Sequence, residues 1–246
     1  MTAIQCTSYD TNTISYYKLD KLDHFKQGGV FVSAIAYSDP ARPIGAIVSS
    51  DSHIHYWCQT YGVHEVADPP QPQDFAFGQC VAIDLPTNNR DGGTCIGVIY
   101  DTVLVNPAFG SMGPRLSTSD EQRQIFSPDY MTERATLLHL LALGTISATG
   151  HIQQGIPALA LELGAKVYPL AVASLRDFHC YADEPGTAPY LHMGYLPQLI
   201  SQPVGLLPQT ALRVLDQLQS VFPEHLRLLS IVRRNLAWKL AVETAS

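Results

Sequence analysis

At 246 residues, with 46% apolar and 15% charged content, the chain is long enough to bury a core without disulfide or metal staples and too apolar to be disordered as a whole. Its net charge of −7 at pH 7 argues against a nucleic-acid binder, whose phosphate contacts need clustered Lys and Arg. The charge is uneven: from Gly205 onward five basic residues (Arg213, Arg227, Arg233, Arg234, Lys239) face three acidic ones (Asp216, Glu224, Glu243), a sum of +2 that leaves −9 for residues 1–204.

Residues 1–27 are polar and Tyr-rich without a clear period and read as an arm. Residues 30–36 (VFVSAIA) read as a short strand stopped by Asp39-Pro40. Residues 44–50 (IGAIVSS) and 52–61 (SHIHYWCQTY) predict a bent strand or hairpin. Strict alternation across the second puts Ser52, Ile54, Tyr56 and Cys58 on one face and Asp51, His53, His55, Trp57 and Gln59 on the other. A Pro-rich loop at 67–74 leads to a strand at 78–85 (GQCVAIDL) and a turn at 86–93 whose residues suit positive φ. Residues 94–106 (TCIGVIYDTVLVN), long and β-branched, carry the strongest strand signal. Short strands punctuated by turns at this spacing predict a small barrel or sandwich.

After a Gly/Ser/Thr/Pro loop at 107–125, Ser127-Pro128-Asp129 has the pattern of a helix start, and Met131, Ala135, Leu138 and Ala142 make a helical stripe. Beyond Leu140 the period fits a strand equally well. Residues 167–170 read as a strand ending at Pro169, 173–180 as a short helix and 182–189 as a loop. Residues 208–222 predict a helix, with Pro208 in the first turn, Pro223 as the stop, and Ala211, Val214, Leu215, Leu218, Val221 and Phe222 at i, i+3, i+4 and i+7 spacing. A second helix is predicted over 224–242. Leu229, Val232, Leu236 and Leu240 form one stripe, and Leu228, Ile231, Trp238 and Val242 widen it beyond an ordinary amphipathic face. A helix apolar over so much of its girth is either buried on several sides or docked on something.

The chemistry-bearing residues are few. Cys6, Cys58, Cys80, Cys95 and Cys180 are odd in number, widely spaced and without a C-x-x-C, which predicts reduced, mostly buried thiols rather than a disulfide framework or zinc knuckle. Asp51, His53 and His55, alternating on one strand face, are the candidate metal ligands; the competing reading is the wet face of a half-buried strand. The fragment His64-Glu65 starts a zincin signature, but Asp68 stands where the second His belongs and Pro69-Pro70 forbids the helix. Gly110-Ser111-Met112-Gly113 lacks nucleophile-elbow spacing, and the adjacent pair His179-Cys180 does not direct its side chains at one another. Gly164-Ala165-Lys166 is not part of a Walker A loop, so no nucleotide cofactor is expected. No basic and apolar leader opens the sequence, and the longest apolar stretch, 137–143 (LLHLLAL), is broken by His139 and too short to cross a bilayer. By elimination, a cytoplasmic location is expected.

Residues 44–106 resemble a HAS barrel, the small β-barrel that opens HerA-type DNA translocases and F-type ATP synthase subunits. The resemblance rests on IGAIVSS, FAFGQCVAIDL and CIGVIYDTVLVN, with Gly45, Gly78, Val81, Ile83, Gly97 and Val98 at the key positions. Residues 156–211, with IPALALELGAKVYPL, SLRDFH and LHMGYLP, look like the stretch that leads from such a barrel toward the ATPase core. The P-loop that would follow is replaced by two helices, so the sequence is similar to the front of a HerA-type protein without its motor, and to uncharacterised cyanobacterial HAS-barrel proteins. The resemblance implies a contact module, since barrels in that family sit at the entry face of a ring and touch partner proteins.

Together these readings predict an α+β protein: an N-terminal arm over 1–27, a small antiparallel β-barrel over 28–110, and a mixed α/β and helical region over 127–246. The expected function is a non-catalytic protein-interaction or assembly module. It would bind another protein or itself through Leu228, Ile231, Arg234, Trp238 and Val242, with no cofactor, direct nucleic-acid contact or membrane insertion. The alternative is a metal-dependent enzyme built on Asp51, His53 and His55.

Overall fold

A computed structural model describes residues 42–62, 65–85, 93–105, 135–181, 190–202 and 205–243. The predicted arm, the strand at 30–36, all but Gly93 of the turn at 86–93, the loop at 107–125, the helix start at 127–129 and the loop at 182–189 lie outside the described residues.

The architecture is α+β, built on a closed antiparallel barrel. Its strands are β1 (Gly45–Ser50), β2 (His55–Thr60), β3 (Cys80–Asp84), β4 (Gly93–Val105), β5 (Ala135–Ser147) and β7 (Lys166–Pro169), with β6 (Ile152–Gln154) appended to β5. β1 pairs with β2 and β7, β7 with β3, β3 with β4 and β4 with β5; β5 returns to β2, so the ring of six strands closes. Closure removes the exposed edges that make a small sheet prone to pairing with other chains. After the barrel come α1 (Val172–His179), the small hairpin of β8 (Cys180–Tyr181) and β9 (Tyr190–Leu191), α2 (Leu196–Ser201), α3 (Leu207–Val221) and α4 (Leu226–Glu243).

Cys80, Val81, Ala82 and Ile83 of β3 are all buried, as are Cys95 to Tyr100 in β4. Successive strand residues point to opposite faces, so both faces of these strands are covered. One side fills the barrel and the other lies under the helical layer, and both belong to one continuous core that also takes in Leu175, Phe178, Leu207, Val214, Leu218 and Leu229. Gly78 marks the joint between the two layers. Its φ of +80° suits glycine, and a Cβ there would lie 2.7 Å from Arg213 Cβ on α3, while its carbonyl accepts from Gln217 Nε2 at 2.8 Å. Arg176 of α1 locks the junction of α3 and α4: it donates to Val221 O at 2.6 Å, pairs with Glu224, and lies 4.7 Å from the centre of the Phe222 ring.

Two expectations are corrected. The helical stripe of Ala135, Leu138 and Ala142 belongs to a strand, β5, whose backbone is paired with β4 along its whole length and with β2 through residues 137–141. An apolar run buried on both faces has no period of its own, so a helical spacing can be picked out of it by chance. Nor is the barrel confined to 28–110: β5 and β7, both from after residue 127, supply two of its six staves. The four strands of the HAS-like stretch cannot close alone, because β2 and β4 need β5 between them, and β1 and β3 need β7.

Candidate functional site

The sequence-predicted ligand set lies where the chain enters β2. That strand begins only at His55; residues 51–54 form a turn, in which Ser52 Oγ accepts from the backbone N–H groups of Ile54 (3.3 Å) and His55 (3.2 Å). The turn breaks the alternation that would have aligned Asp51, His53 and His55. His53 Nε2 donates to Pro157 O at 2.7 Å, and Asp51 Oδ2 accepts from the Trp57 indole at 2.9 Å. His55 Nε2 donates to Gln202 Oε1 at 2.9 Å, and its Nδ1 lies 3.0 Å from the Tyr100 hydroxyl. Each side chain is therefore committed to a different partner, and among the described residues no group of three or more His, Cys, Asp or Glu is placed to hold a metal ion.

What the fold assembles instead is an aromatic–imidazole cluster. Strand register sets Trp57 opposite His139 across β2 and β5, and Asp101 opposite His139 across β4 and β5. Trp57 meets the His139 ring edge-on, and the Tyr100 ring centre lies 5.3 Å from His139 and 5.5 Å from His55. Burial, reinforced by the negative charges of Asp51 and Asp101, pushes the Tyr100 hydroxyl up to about 12, so it stays protonated at neutral pH and is neither base nor nucleophile. Burial also holds the His139 imidazole below its ordinary value against the pull of Asp101 and Asp51. The cluster works as a clasp: it joins β2, β4 and β5 to Gln202 in the segment that follows α2. Tyr100→Phe leaves His55 Nδ1 without its partner and is expected to cost about 1–2 kcal/mol, read as a lower urea midpoint at unchanged slope. An unchanged midpoint would mean that ring packing alone makes the clasp.

Three of the thiols are closed off as nucleophiles. Cys58, Cys80 and Cys95 are buried, and desolvation pushes each up to about 12. His179 does not activate its neighbour Cys180: its Nδ1 donates to Leu175 O at 2.7 Å and its Nε2 lies 2.6 Å from the Tyr195 hydroxyl. An open cleft of about 590 Å³ at one mouth of the barrel is lined by Asp84, Thr94, Glu162 and Lys166 among others, without an imidazole or thiol.

The predicted interface residues lie on α4, and their placement follows from what anchors that helix. Leu229 and Leu236 are buried against the core, Val232 and Leu240 are partly so, and Arg233 pairs with Asp216 of α3. With that face turned inward, Trp238 is 70% exposed, Leu228 51%, Ile231 50% and Val242 47%. Arg234 and Asn235 share the exposed side. The helix is thus buried along one stripe only, not wedged between two layers, and its surplus apolar residues face outward. No helix among the described residues is long and apolar enough to cross a membrane.

A family model described as a domain of unknown function, DUF8166, matches residues 34–245. No curated protein matches the chain.

Proposed function

The chain belongs to the DUF8166 family, a domain of unknown function, and from the surface it presents we propose that it is a non-catalytic interaction module that engages another protein through the outer face of α4. The observation that carries this reading is the row Leu228, Ile231 and Trp238, exposed on a helix whose opposite side is anchored in the core. A large apolar side chain left in water forgoes about 1.5–3 kcal/mol of burial. Several in one row on an ordered helix are the usual mark of a contact surface. The reading draws further support from the resemblance to HAS barrels, whose family members contact partner proteins. Gly45 and Gly97, two of the glycines that carry the resemblance, sit where a Cβ would press on Gln59 O (2.0 Å) and Leu141 O (3.2 Å). We place this activity in the cytoplasm, with no cofactor.

The test is the pair Ile231→Ser and Trp238→Ala in one chain. Both positions are exposed, so circular dichroism and the urea midpoint are expected to stay within about 0.5 kcal/mol of the parent. Crosslinks from α4 to a bound protein, or the mass of the assembly in light scattering, are expected to be lost. A variant that unfolds would show that these side chains are core. One that stays folded and keeps every contact would show that the face is not used.

A further inference from the structure

The outward residues of α4 are not scattered. Leu228, Ile231, Asn235, Trp238 and Val242 follow one another at intervals of three, four, three and four, and all are exposed. That is the 3.5-residue repeat of a two-stranded seam, with Leu228, Asn235 and Val242 at the a positions and Ile231 and Trp238 at d. The inward stripe of Leu229, Val232, Leu236 and Leu240 uses other positions of the same helix, so α4 carries one seam for its own core and a second, separate one for solvent. Asn235 occupies the central a position. A lone Asn at that position of a seam weakens it but fixes its register and favours two strands.

The rims of the outer seam are basic. Arg227 and Arg234 stand at g and Lys239 at e, and the one acidic residue of α4, Glu243, stands at b, off both rims. Arg233, turned toward α3, has Asp216, but Arg227 and Arg234 are exposed and have no ion pair among the described residues. Two copies of α4 would therefore meet badly in either orientation. A parallel pair puts no carboxylate opposite Arg227 or Arg234, and an antiparallel pair brings the two rows of g-position arginines together. Arg227 and Arg234, both exposed on the g side of the seam, give this face a local positive charge that favours a negatively charged partner.

We propose that α4 docks one helix of a different protein, a heptad-repeat helix with Asp or Glu at its e and g positions, as a parallel two-stranded coiled coil registered by Asn235. The proposal rests on the interaction reading above and names its occupant. The seam from Leu228 to Val242 is about 21 Å long at 1.5 Å per residue. So short a contact gives weak, exchangeable binding, strengthened because α4 is already ordered by its inner face.

The full chain is titrated by fluorescence anisotropy into two labelled synthetic peptides of four heptads. Both have Ile at a with a single central Asn and Leu at d; one carries Glu and the other Lys at every e and g position. The Glu peptide is expected to bind at least about tenfold more tightly at low salt, with the difference shrinking as salt is added. Arg227→Glu with Arg234→Glu in one chain is expected to reverse the preference at unchanged circular dichroism. Moving the peptide's Asn to a d position is expected to weaken binding about tenfold. Equal binding of the two peptides, or binding of neither, overturns the acidic-helix proposal. A dimer of the chain that Trp238→Ala dissociates overturns it in favour of a second copy. In those cases the interaction reading still stands if the Ile231→Ser, Trp238→Ala chain loses its crosslinks or assembled mass, and it falls only if that chain keeps them.

Discussion

Gly45→Ala is expected to remove at least about 3 kcal/mol of stability, at or beyond the upper end of ordinary overpacking. Gly45 is held between two strands, opposite Thr60 of β2 on one side and Val167 of β7 on the other. A Cβ at this position would lie 2.0 Å from Gln59 O, 2.8 Å from Gln59 C and 2.9 Å from Cys58 Sγ. The first two are backbone atoms and cannot rotate away. Nor can β2 retreat, because its other edge is paired with β5 from His55 opposite Leu141 to Gln59 opposite Leu137. The methyl group is accommodated only if β1 separates from the ring, which would expose Ile44 and Ile47, both buried. Against a total stability of roughly 5–15 kcal/mol for a domain, such a loss lowers the urea midpoint sharply. Gly62→Ala is the control: among the described residues its Cβ would meet nothing closer than Glu65 Oε2 at 3.5 Å, so the effect there should stay within about 0.5 kcal/mol. Equal midpoints for the two variants would contradict the closure of the barrel at β1.

The same geometry explains what was and was not legible in the chain. β1 to β4 were legible because β-branched runs end at turn residues, and α3 because Pro208 and Pro223 bracket an i, i+3, i+4 stripe. β5 was not, because LLHLLAL is apolar on both faces and local propensity cannot say whether such a run is a strand or a helix. Tertiary pairing with β2 and β4 decides it. Barrel closure was out of reach for a related reason: the last staves come from 135–147 and 166–169, and which strands they bridge is a long-range property.

The candidate site divides in the same way. Asp51, His53 and His55 looked aligned only on the assumption of a strand from residue 51, and the Ser52 turn removes it. Tyr100, His139 and Gln202 were missed because they are brought to His55 by register and packing from far along the chain. Their one local signal is that His139 and Tyr100 interrupt otherwise apolar strand runs, which is where a buried polar group needs a partner. On α4 the surplus of apolar residues was legible, but which stripe turns inward was not. The pairing of Arg233 with Asp216 and the burial of Leu229 and Leu236 settle that.

Stability is expected to fall by about 3 kcal/mol between neutral pH and pH 4 on account of His179 alone. The ring is fully buried among Phe178, Tyr195 and Phe222. Burial pushes its pKa from the ordinary 6.5 down to about 4; the hydrogen bond to Leu175 O opposes that shift and the neighbouring His192 adds to it. Leu175 O can only accept, so Nδ1 carries the proton of the uncharged ring and Nε2 takes the Tyr195 O–H. Protonating Nε2 would place a charge in a fully buried site and force the Tyr195 hydroxyl to turn its own proton away in order to accept. Because the folded value is depressed, the unfolded chain binds this proton more readily. The contribution is therefore present in full above about pH 6.5 and is lost as the pH falls toward 4. Glu224, held low by hydrogen bonds from its own backbone and Arg176 that outweigh its desolvation, adds a loss of the same sign but below the ordinary carboxylate range. His179→Phe together with Tyr195→Phe removes both polar partners at once and leaves neither orphaned. In urea titrations at pH 7, 6 and 5 the parent should weaken more steeply than the double variant, which keeps only the acid losses common to both chains, such as that of His139, so that the variant gains on the parent by about 2 kcal/mol between pH 7 and pH 5. Parallel pH profiles would mean that the acid sensitivity lies elsewhere and that His179 takes up its proton without disturbing the fold.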